Sequence, residues 1–141
     1  MRFALYNDKR IEATPSANDI CPGCGAQLIA RCGTKKVWHW AHKGQRHCDH
    51  WWENETQWHR DWKNQFPADW QEIAARDEHG ELHIADIKTP KGLVVEFQHS
   101  YIKPAEARVR TEFHNPMFWV VDGTRRKNDR KQFASAQEDG M

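Results

Sequence analysis

The feature that most constrains this chain is a segment rich in Cys and His between residues 21 and 50. All four cysteines of the 141-residue chain lie there, together with four of its nine histidines. The segment has no long apolar run, and a segment without a core of its own usually needs a metal or disulfides to fold. The N-terminus lacks the apolar stretch of a secretory signal, which favours a metal over disulfides.

The spacing within this segment predicts a zinc site. Cys21 and Cys24 form a CxxC pair, and His39 and His42 form an HxxH pair further along the chain. Two thiolates and two imidazoles complete the tetrahedral coordination of zinc and leave no open position for catalysis. We therefore predict structural zinc on these four residues. A metal-free segment with buried thiols and a redox-active CxxC pair are the alternatives.

Four further residues of the segment are potential ligands. Cys48 in particular can replace one of the two histidines, so the site is better determined than its ligand set. The spare ligands are Cys32, His47, Cys48 and His50.

The composition indicates a folded protein in spite of its polar character. The mean hydropathy is -0.96 and 29% of the residues are charged, but eight Trp and six Phe are far more than disordered chains contain. No stretch reaches the roughly 18 apolar residues of a membrane helix. We expect a soluble, cytoplasmic protein without a membrane partner.

The pattern along the chain predicts three parts. Residues 1–50 hold a strand pair, with a turn at Asn7-Asp8, and the zinc-binding segment. Residues 51–122 form the core, and residues 123–141 are a polar, basic tail without apolar periodicity.

The core pattern predicts a helix, three strands, a helix and a strand. This order indicates a mixed sheet with helices packed on it, an α/β or α+β fold. Trp51, Glu55, Trp58, Trp62 and Phe66 fall at helical spacing within residues 51–66. The remaining elements are strands within 70–77, 81–88 and 92–98, a helix with Pro104 in its first turn and an apolar stripe of Ile102, Ala105, Val109 and Phe113, and a buried final strand within 117–122.

Two acidic residues stand on neighbouring predicted strands. Asp86 and Glu96 converge if these strands form a hairpin, because side chains alternate between the faces of a strand. Two carboxylates together repel each other, and a divalent cation such as Mg²⁺ removes that repulsion and activates a bound water. Gln98 shares a strand face with Glu96. The alternative is that both acids are surface charges on edge strands.

Charge is unevenly distributed along the chain. Residues 51–100 contain ten Asp and Glu against five Lys and Arg, whereas the residues on either side are net basic. An acidic centre between basic flanks suits a metal site that attracts a polyanion, although ordinary surface variation gives the same pattern. Arg125, Arg126 and Lys127 begin a basic run that either binds phosphate or is a solvated tail.

In combination, these motifs resemble the competence protein CoiA-like nuclease family. The resemblance rests on Cys21-Pro-Gly-Cys24, His39-Trp-Ala-His42, Ala85-Asp86-Ile87 and Glu96-Phe97-Gln98-His99-Ser100, with Glu55, His59 and Lys63 at four-residue spacing between the second and third motifs. It covers roughly residues 1–122. It implies a restriction-endonuclease-like PD-(D/E)XK core behind a small zinc-binding segment.

The resemblance also implies roles for individual residues. Asp86 and Glu96 would hold a catalytic Mg²⁺ or Mn²⁺. Gln98 would stand where many such enzymes carry Lys, as in the family's own ExQ variant, and Lys63 or a second cation would compensate for the missing charge. Glu55 would contact the metal through water and His59 would be a proton or phosphate partner. Nucleic acid would be bound by Lys63, Arg110, Arg125, Arg126 and Lys127.

These features together predict a Mg²⁺- or Mn²⁺-dependent deoxyribonuclease. Two other functions remain open: a zinc-containing nucleic-acid-binding module without catalysis, and a protein-interaction module of a bacterial or phage system. The sequence also leaves open a homodimer or a partner protein.

Overall fold

The fold comprises two sheets and two helices, as seen in a computed structural model that describes residues 1–44 and 48–124. The predicted basic run at Arg125, Arg126 and Lys127 lies outside the described residues. Neither helix in the described ranges has the length and apolar character needed to cross a membrane.

The first sheet is built from the N-terminal part of the chain. Its strands run antiparallel in the order β2-β1-β3-β4-β5. Asn7 and Asp8 have φ of 48° and 62° and form the predicted turn of the first hairpin. The strands are β1 Phe3–Tyr6, β2 Lys9–Glu12, β3 Asn18–Ile20, β4 Gln27–Arg31 and β5 His39–His42.

The second sheet has the predicted mixed arrangement of strands. Strands β6, β7 and β8 are antiparallel neighbours, and β9 lies parallel to β8 after a crossover through α2. The order helix, three strands, helix, strand is thereby confirmed. The elements are α1 Gln57–Lys63, β6 Gln71–Arg76, β7 Leu82–Lys88, β8 Val94–Gln98, α2 Pro104–Phe113 and β9 Met117–Val121.

The prediction that the first helix spans residues 51–66 was wrong at both ends. Thr56 is the N-cap, and its hydroxyl accepts the His59 backbone N–H at 3.3 Å. Trp51 instead stacks on the His83 ring, with centroids 3.5 Å apart. The Trp spacing therefore continues beyond the helix, and Glu55 belongs to the segment that leads into it.

The predicted apolar stripe of α2 was also wrong. Val109 is exposed, whereas Arg110 and, just after the helix, His114 are buried. Both basic side chains approach the buried carboxylate of Glu96. A buried carboxylate needs partners of this kind, and this need determines which helix face packs on the sheet.

The final strand is an edge strand rather than a buried one. Strand β9 has one neighbour, β8, and Phe118 is 63% exposed. Val120 nevertheless packs against the core cluster that includes Val95 and Phe97.

The zinc-binding segment packs directly on the second sheet. Leu82, at the start of β7, belongs to the same buried cluster as Cys21 and Cys48. A Cβ added to Gly23 would lie 2.4 Å from Leu82 Cδ2, so a larger residue there would require the Leu82 side chain to move. The contact places the Cys/His segment beside the strand that carries Asp86.

Candidate metal centres

The first candidate centre is a cluster formed by Cys21, Cys24, His42 and Cys48. One ligand atom from each residue lies within 4.8 Å of all the others. Cys24 Sγ and Cys48 Sγ lie 3.5 and 3.2 Å from His42 Nε2, and Cys21 Sγ lies 4.0 Å from Cys48 Sγ. Zinc bonds of usual length in a tetrahedron give S···N edges of about 3.5 Å and S···S edges of about 3.8 Å. This Cys/His cluster fits zinc.

The predicted ligand set was wrong at one position. His39 is absent from the cluster, and Cys48 takes its place. His39 and His42 belong to strand β5, where residues three apart point to opposite faces. His39 Nδ1 instead lies 2.8 Å from the Val37 carbonyl oxygen.

Local hydrogen bonds shape the knuckle that carries the first two cysteines. The backbone N–H of Cys21 donates to the Ala26 carbonyl at 2.8 Å, and that of Gly25 donates to the Cys21 carbonyl at 3.0 Å. Gly25 has a φ of 75°, which glycine adopts without strain. The turn brings Cys24 back toward Cys21.

Cys32 and His50, two of the other spare ligands, do not join the cluster. Cys32 packs at the edge of the nearby apolar core, and the imidazole of His50 lies 3.6 Å from Glu81. His47 lies outside the described residues.

The second candidate centre is a row of three acids across neighbouring strands. The pairs Gln71↔Ile87 and Ile73↔Ala85 place Glu72 opposite Asp86. The pair Ile87↔Val95 places Asp86 opposite Glu96. Glu72, Asp86 and Glu96 thus form one acidic row.

At Asp86 and Glu96, hydrogen bonds from backbone N–H groups to the carboxylates take the place of the regular backbone pairing between β7 and β8. The Asp86 backbone N–H donates to Glu96 Oε2 at 3.1 Å, and the Phe97 N–H donates to Asp86 Oδ2 at 2.9 Å. The β7–β8 ladder pairs Ile87 with Val95 and Lys88 with Val94, so the two acids lie one residue beyond it. This arrangement draws both carboxylates together at the point where the pairing ends.

Glu72 was not predicted as a site residue, and its backbone is unusual. Its φ of 52° is rare for a non-glycine residue within a strand and costs about 1–3 kcal/mol. The carboxylate is fixed by the backbone N–H groups of Arg2 and Phe3, at 2.5 and 3.3 Å. Strained residues that their surroundings hold in place often mark functional sites.

Lys63 inserts a buried ammonium among the carboxylates. Its Nζ lies 3.0 Å from Glu55 Oε2, 3.4 Å from Glu72 Oε2 and 3.8 Å from Asp86 Oδ1. Only 4% of Lys63 is exposed. The residue therefore balances internal charge, and its predicted contact with nucleic acid would require substrate to enter the cleft.

The pKa values of these acids are separated by their surroundings. Burial and the neighbouring charge of Glu96 raise the pKa of Asp86 well above its usual value. Burial also raises the pKa of Glu96. For Glu55, burial acts upward, but the charge of Lys63 and other cations outweighs it and lowers the pKa to about 2. Asp86 and Glu96 are thus the acids whose negative charge is least compensated.

Arg110 and His114 contact the second carboxylate oxygen of Glu96. Arg110 Nη2 and His114 Nε2 lie 3.5 and 3.3 Å from Glu96 Oε1. Burial, together with the charge of Arg110, lowers the pKa of His114 to about 4, so its imidazole is neutral at pH 7. Arg110 is buried against this carboxylate, and its role in nucleic-acid binding stays a prediction.

Gln98 and His59 are ordered but lie outside the contacts of the acidic row. Gln98 is buried, and its side-chain amide donates to the Ser100 carbonyl at 2.8 Å. His59 Nε2 lies 3.4 Å from Glu53 Oε1. Glu53, another residue that sequence reasoning missed, also accepts the backbone N–H groups of His99 and Ser100 at 3.2 and 2.9 Å.

Two cavities reach the acidic row. A cavity of about 50 Å³ is lined by Asp86, Glu96, Lys63 and Arg110, among others. A larger one of about 310 Å³ extends from Asp86 and Glu72 to the zinc-binding segment. Among the described residues, Glu55 Oε1, His59 Nε2 and Arg110 Nε are buried without a hydrogen-bond partner. The carboxylate oxygens that line these cavities are the ligands that a hard divalent cation prefers.

Replacing Lys63 by Met is expected to destabilise the protein by about 3 kcal/mol near pH 7.5 without added Mg²⁺ or Mn²⁺, because it leaves buried carboxylates without their cation. The low pKa values of Glu55 and Glu72 stabilise the fold above their unfolded value of 4.5 and cease to do so as the pH falls. The difference between the two proteins should therefore shrink below about pH 4.5. Urea unfolding measures it, and Lys91→Met at an exposed turn is the control. Equal stability of Lys63→Met and wild type would contradict this charge balance.

One family model matches part of the chain. Residues 5–50 match the family model of the competence protein CoiA N-terminal domain. This range contains all four members of the Cys/His cluster. No curated protein and no solved structure gives a significant match.

Proposed function

We propose, from the premise that residues 5–50 belong to the CoiA N-terminal domain family, that this chain is a divalent-metal-dependent nuclease with a PD-(D/E)XK core. The topology supports the proposal. Helix α1, the antiparallel strands β6 to β8, helix α2 and the parallel strand β9 follow the αβββαβ order expected of such a core.

The observation that carries the proposal is the meeting of Asp86 and Glu96 beside a cavity. They belong to adjacent strands, each carboxylate accepts a backbone N–H from the other's strand, and both line the same small cavity. In this arrangement Asp86 and Glu96 would hold one hard cation. Bound Mg²⁺ or Mn²⁺ would supply an activated water and polarise a phosphodiester.

The remaining residues of the cleft would position charge around that cation. Lys63 can balance negative charge that develops on the phosphate, the role that Gln98, a neutral side chain, cannot fill. Arg110 and His114 orient the carboxylate of Glu96 from the opposite side. Glu55 and Glu72 keep Lys63 charged and in place.

The proposal is tested by nucleic-acid cleavage with separate Mg²⁺, Mn²⁺ and EDTA arms on plasmid and single-stranded substrates. We expect cleavage with Mg²⁺ or Mn²⁺ and none with EDTA. Cleavage that persists in EDTA would contradict a metal-dependent mechanism. Salt-sensitive binding without cleavage under every metal condition would instead favour a non-catalytic nucleic-acid-binding module.

Metal affinity is expected to rise with pH, because the raised pKa of Asp86 makes a proton compete with the cation. Affinity for Ca²⁺ should increase by up to about tenfold per pH unit below that pKa and level off above it. Calorimetric titration between pH 5 and 8 measures the effect. Asp86→Asn should lose most of the affinity together with its pH dependence. Affinity that is flat with pH in the wild-type protein would show that no proton is displaced.

A further inference from the structure

A wide groove lies next to the cavity that reaches the acidic row. It has a volume of about 840 Å³ and is lined by residues 33–38, residues 52–57 and Ser100. We call it the aromatic groove because Trp38 and Trp52 lie along it. Trp52, Glu53 and Glu55 also line the cavity of about 310 Å³ that reaches Asp86. The groove therefore leads to the proposed catalytic site.

The two Trp side chains of the groove present apolar surface to solvent. Trp38 is 45% exposed and Trp52 is 49% exposed. Trp38 is also held in place, since its Nε1 donates to the Gly33 carbonyl at 3.1 Å and its own carbonyl accepts Arg60 Nη2 at 2.9 Å. Exposed aromatic rings held on a fixed backbone are platforms for stacking.

The charges along the groove suit a phosphate backbone. Lys35 and Lys36 are exposed on its wall. The carboxylates of Glu53 and Glu55 are already engaged, the first by two backbone N–H groups and the second by Lys63. The exposed charged side chains of the groove are therefore Lys35 and Lys36, which a strand of phosphates can contact.

We propose that the aromatic groove binds single-stranded nucleic acid and guides it toward Asp86 and Glu96. The guidance of the strand toward Asp86 and Glu96 rests on the proposed nuclease function. The binding itself does not, because binding does not require cleavage. Unpaired bases can stack on Trp38 and Trp52 while Lys35 and Lys36 contact phosphates. Bases within a duplex are stacked on one another and do not offer their faces.

The proposal predicts selective binding that depends on both Trp residues. Fluorescence-anisotropy titration without added Mg²⁺ or Mn²⁺, with the zinc retained, would compare oligo-dT, oligo-rU and a duplex of equal length. The double variant Trp38→Ala, Trp52→Ala should bind the single strands about tenfold or more weakly, because each stacked base contributes substantially. The double variant Trp38→Phe, Trp52→Phe should retain most of the affinity. The DNA and RNA arms identify the source of the strand.

Matched controls separate stacking and charge from general effects. Phe118→Ala removes an exposed aromatic side chain on β9, away from the groove, and should bind as wild type does. Lys35→Glu with Lys36→Glu should weaken binding and reduce its salt dependence, whereas Lys9→Glu with Lys91→Glu should have a smaller effect. Circular dichroism checks that each variant is folded.

The outcomes distinguish this proposal from the nuclease itself. Equal affinity of the Trp→Ala variant and wild type, preference for duplex, or absence of binding would overturn the groove proposal. If Asp86→Asn still cleaves while the Trp→Ala variant fails to bind, the catalytic assignment fails and the groove stands. If Asp86→Asn stops cleavage and the Trp→Ala variant binds normally, the groove proposal fails alone.

Discussion

Asp86→Asn and Glu96→Gln are each expected to reduce Mg²⁺-dependent cleavage by about three orders of magnitude. A bound metal stabilises the transition state by several kcal/mol, and each 1.36 kcal/mol corresponds to a factor of ten. Both substitutions keep the size of the side chain and remove its charge. The rates are measured under single-turnover conditions at saturating Mg²⁺, so that weak substrate binding does not imitate slow chemistry.

Two controls connect this loss to the metal site. Asp61→Asn and Glu78→Gln change exposed carboxylates on α1 and at the β6–β7 turn, and both should cleave at the wild-type rate. Calorimetry with Ca²⁺ should show weaker binding by both site variants, independently of activity. Wild-type rates for both Asp86→Asn and Glu96→Gln would remove the basis for the proposed function.

The stability of Asp86→Asn supplies a further check of the same geometry. The raised pKa of Asp86 means that its charged form is disfavoured in the fold, so this residue contributes stability at low pH that is lost as the pH rises. Without added Mg²⁺ or Mn²⁺ at pH 7.5, the Asn variant should therefore be at least as stable as wild type. If Asp86→Asn instead lost activity because it unfolds, it would be less stable than wild type.

The convergence of Asp86 and Glu96 was predictable because it needs only the alternation of a strand and a hairpin between the two residues. Glu72 was not predictable in the same way. The place of Glu72 in the acidic row depends on the register between β6 and β7 and on its left-handed backbone conformation. No feature of the sequence near Glu72 indicates that conformation. The positions of Asp86 and Glu96 thus follow from local sequence pattern, whereas that of Glu72 depends on tertiary structure.

The helical elements show a similar limit. The periodicity of Trp58, Trp62 and Phe66 correctly indicated α1, but Trp51 continued the pattern outside the helix because its ring stacks on His83. In α2 the apolar pattern selected Val109, while the sheet required Arg110 beside Glu96. In α2, tertiary charge pairing thus overrode the weak apolar pattern of the sequence.

The choice among the possible zinc ligands depends on the backbone conformation of the segments that carry them. An HxxH pair in a turn or helix brings both imidazoles together, whereas in strand β5 it separates them. Cys48, six residues beyond His42 in the sequence, lies with its Sγ 3.2 Å from His42 Nε2. Cys48 was named as the substitute ligand, but sequence alone did not decide between it and His39.

Cys48→Ser is expected to lose zinc, whereas His39→Ala is expected to keep about one zinc per chain. The two variants decide between the ligand set in the structure and the simple CxxC–HxxH set. Cys32→Ser is the matched control, because this cysteine packs near the same core without joining the Cys/His cluster. Metal content is measured by mass spectrometry on protein purified without chelators.

Loss of zinc should also reach the proposed catalytic cleft. A structural zinc contributes several kcal/mol to folding, and each kcal/mol moves the Tm by about 2–4 °C in a chain of this size, so Cys48→Ser should melt about 10 °C or more below wild type. The residue after Cys48 donates its backbone N–H to the Leu82 carbonyl at 3.2 Å, which connects the cluster to β7. Cleavage should therefore fall with zinc content in Cys48→Ser and remain normal in His39→Ala. Zinc that stays with Cys48→Ser and leaves with His39→Ala would reverse the assignment of ligands.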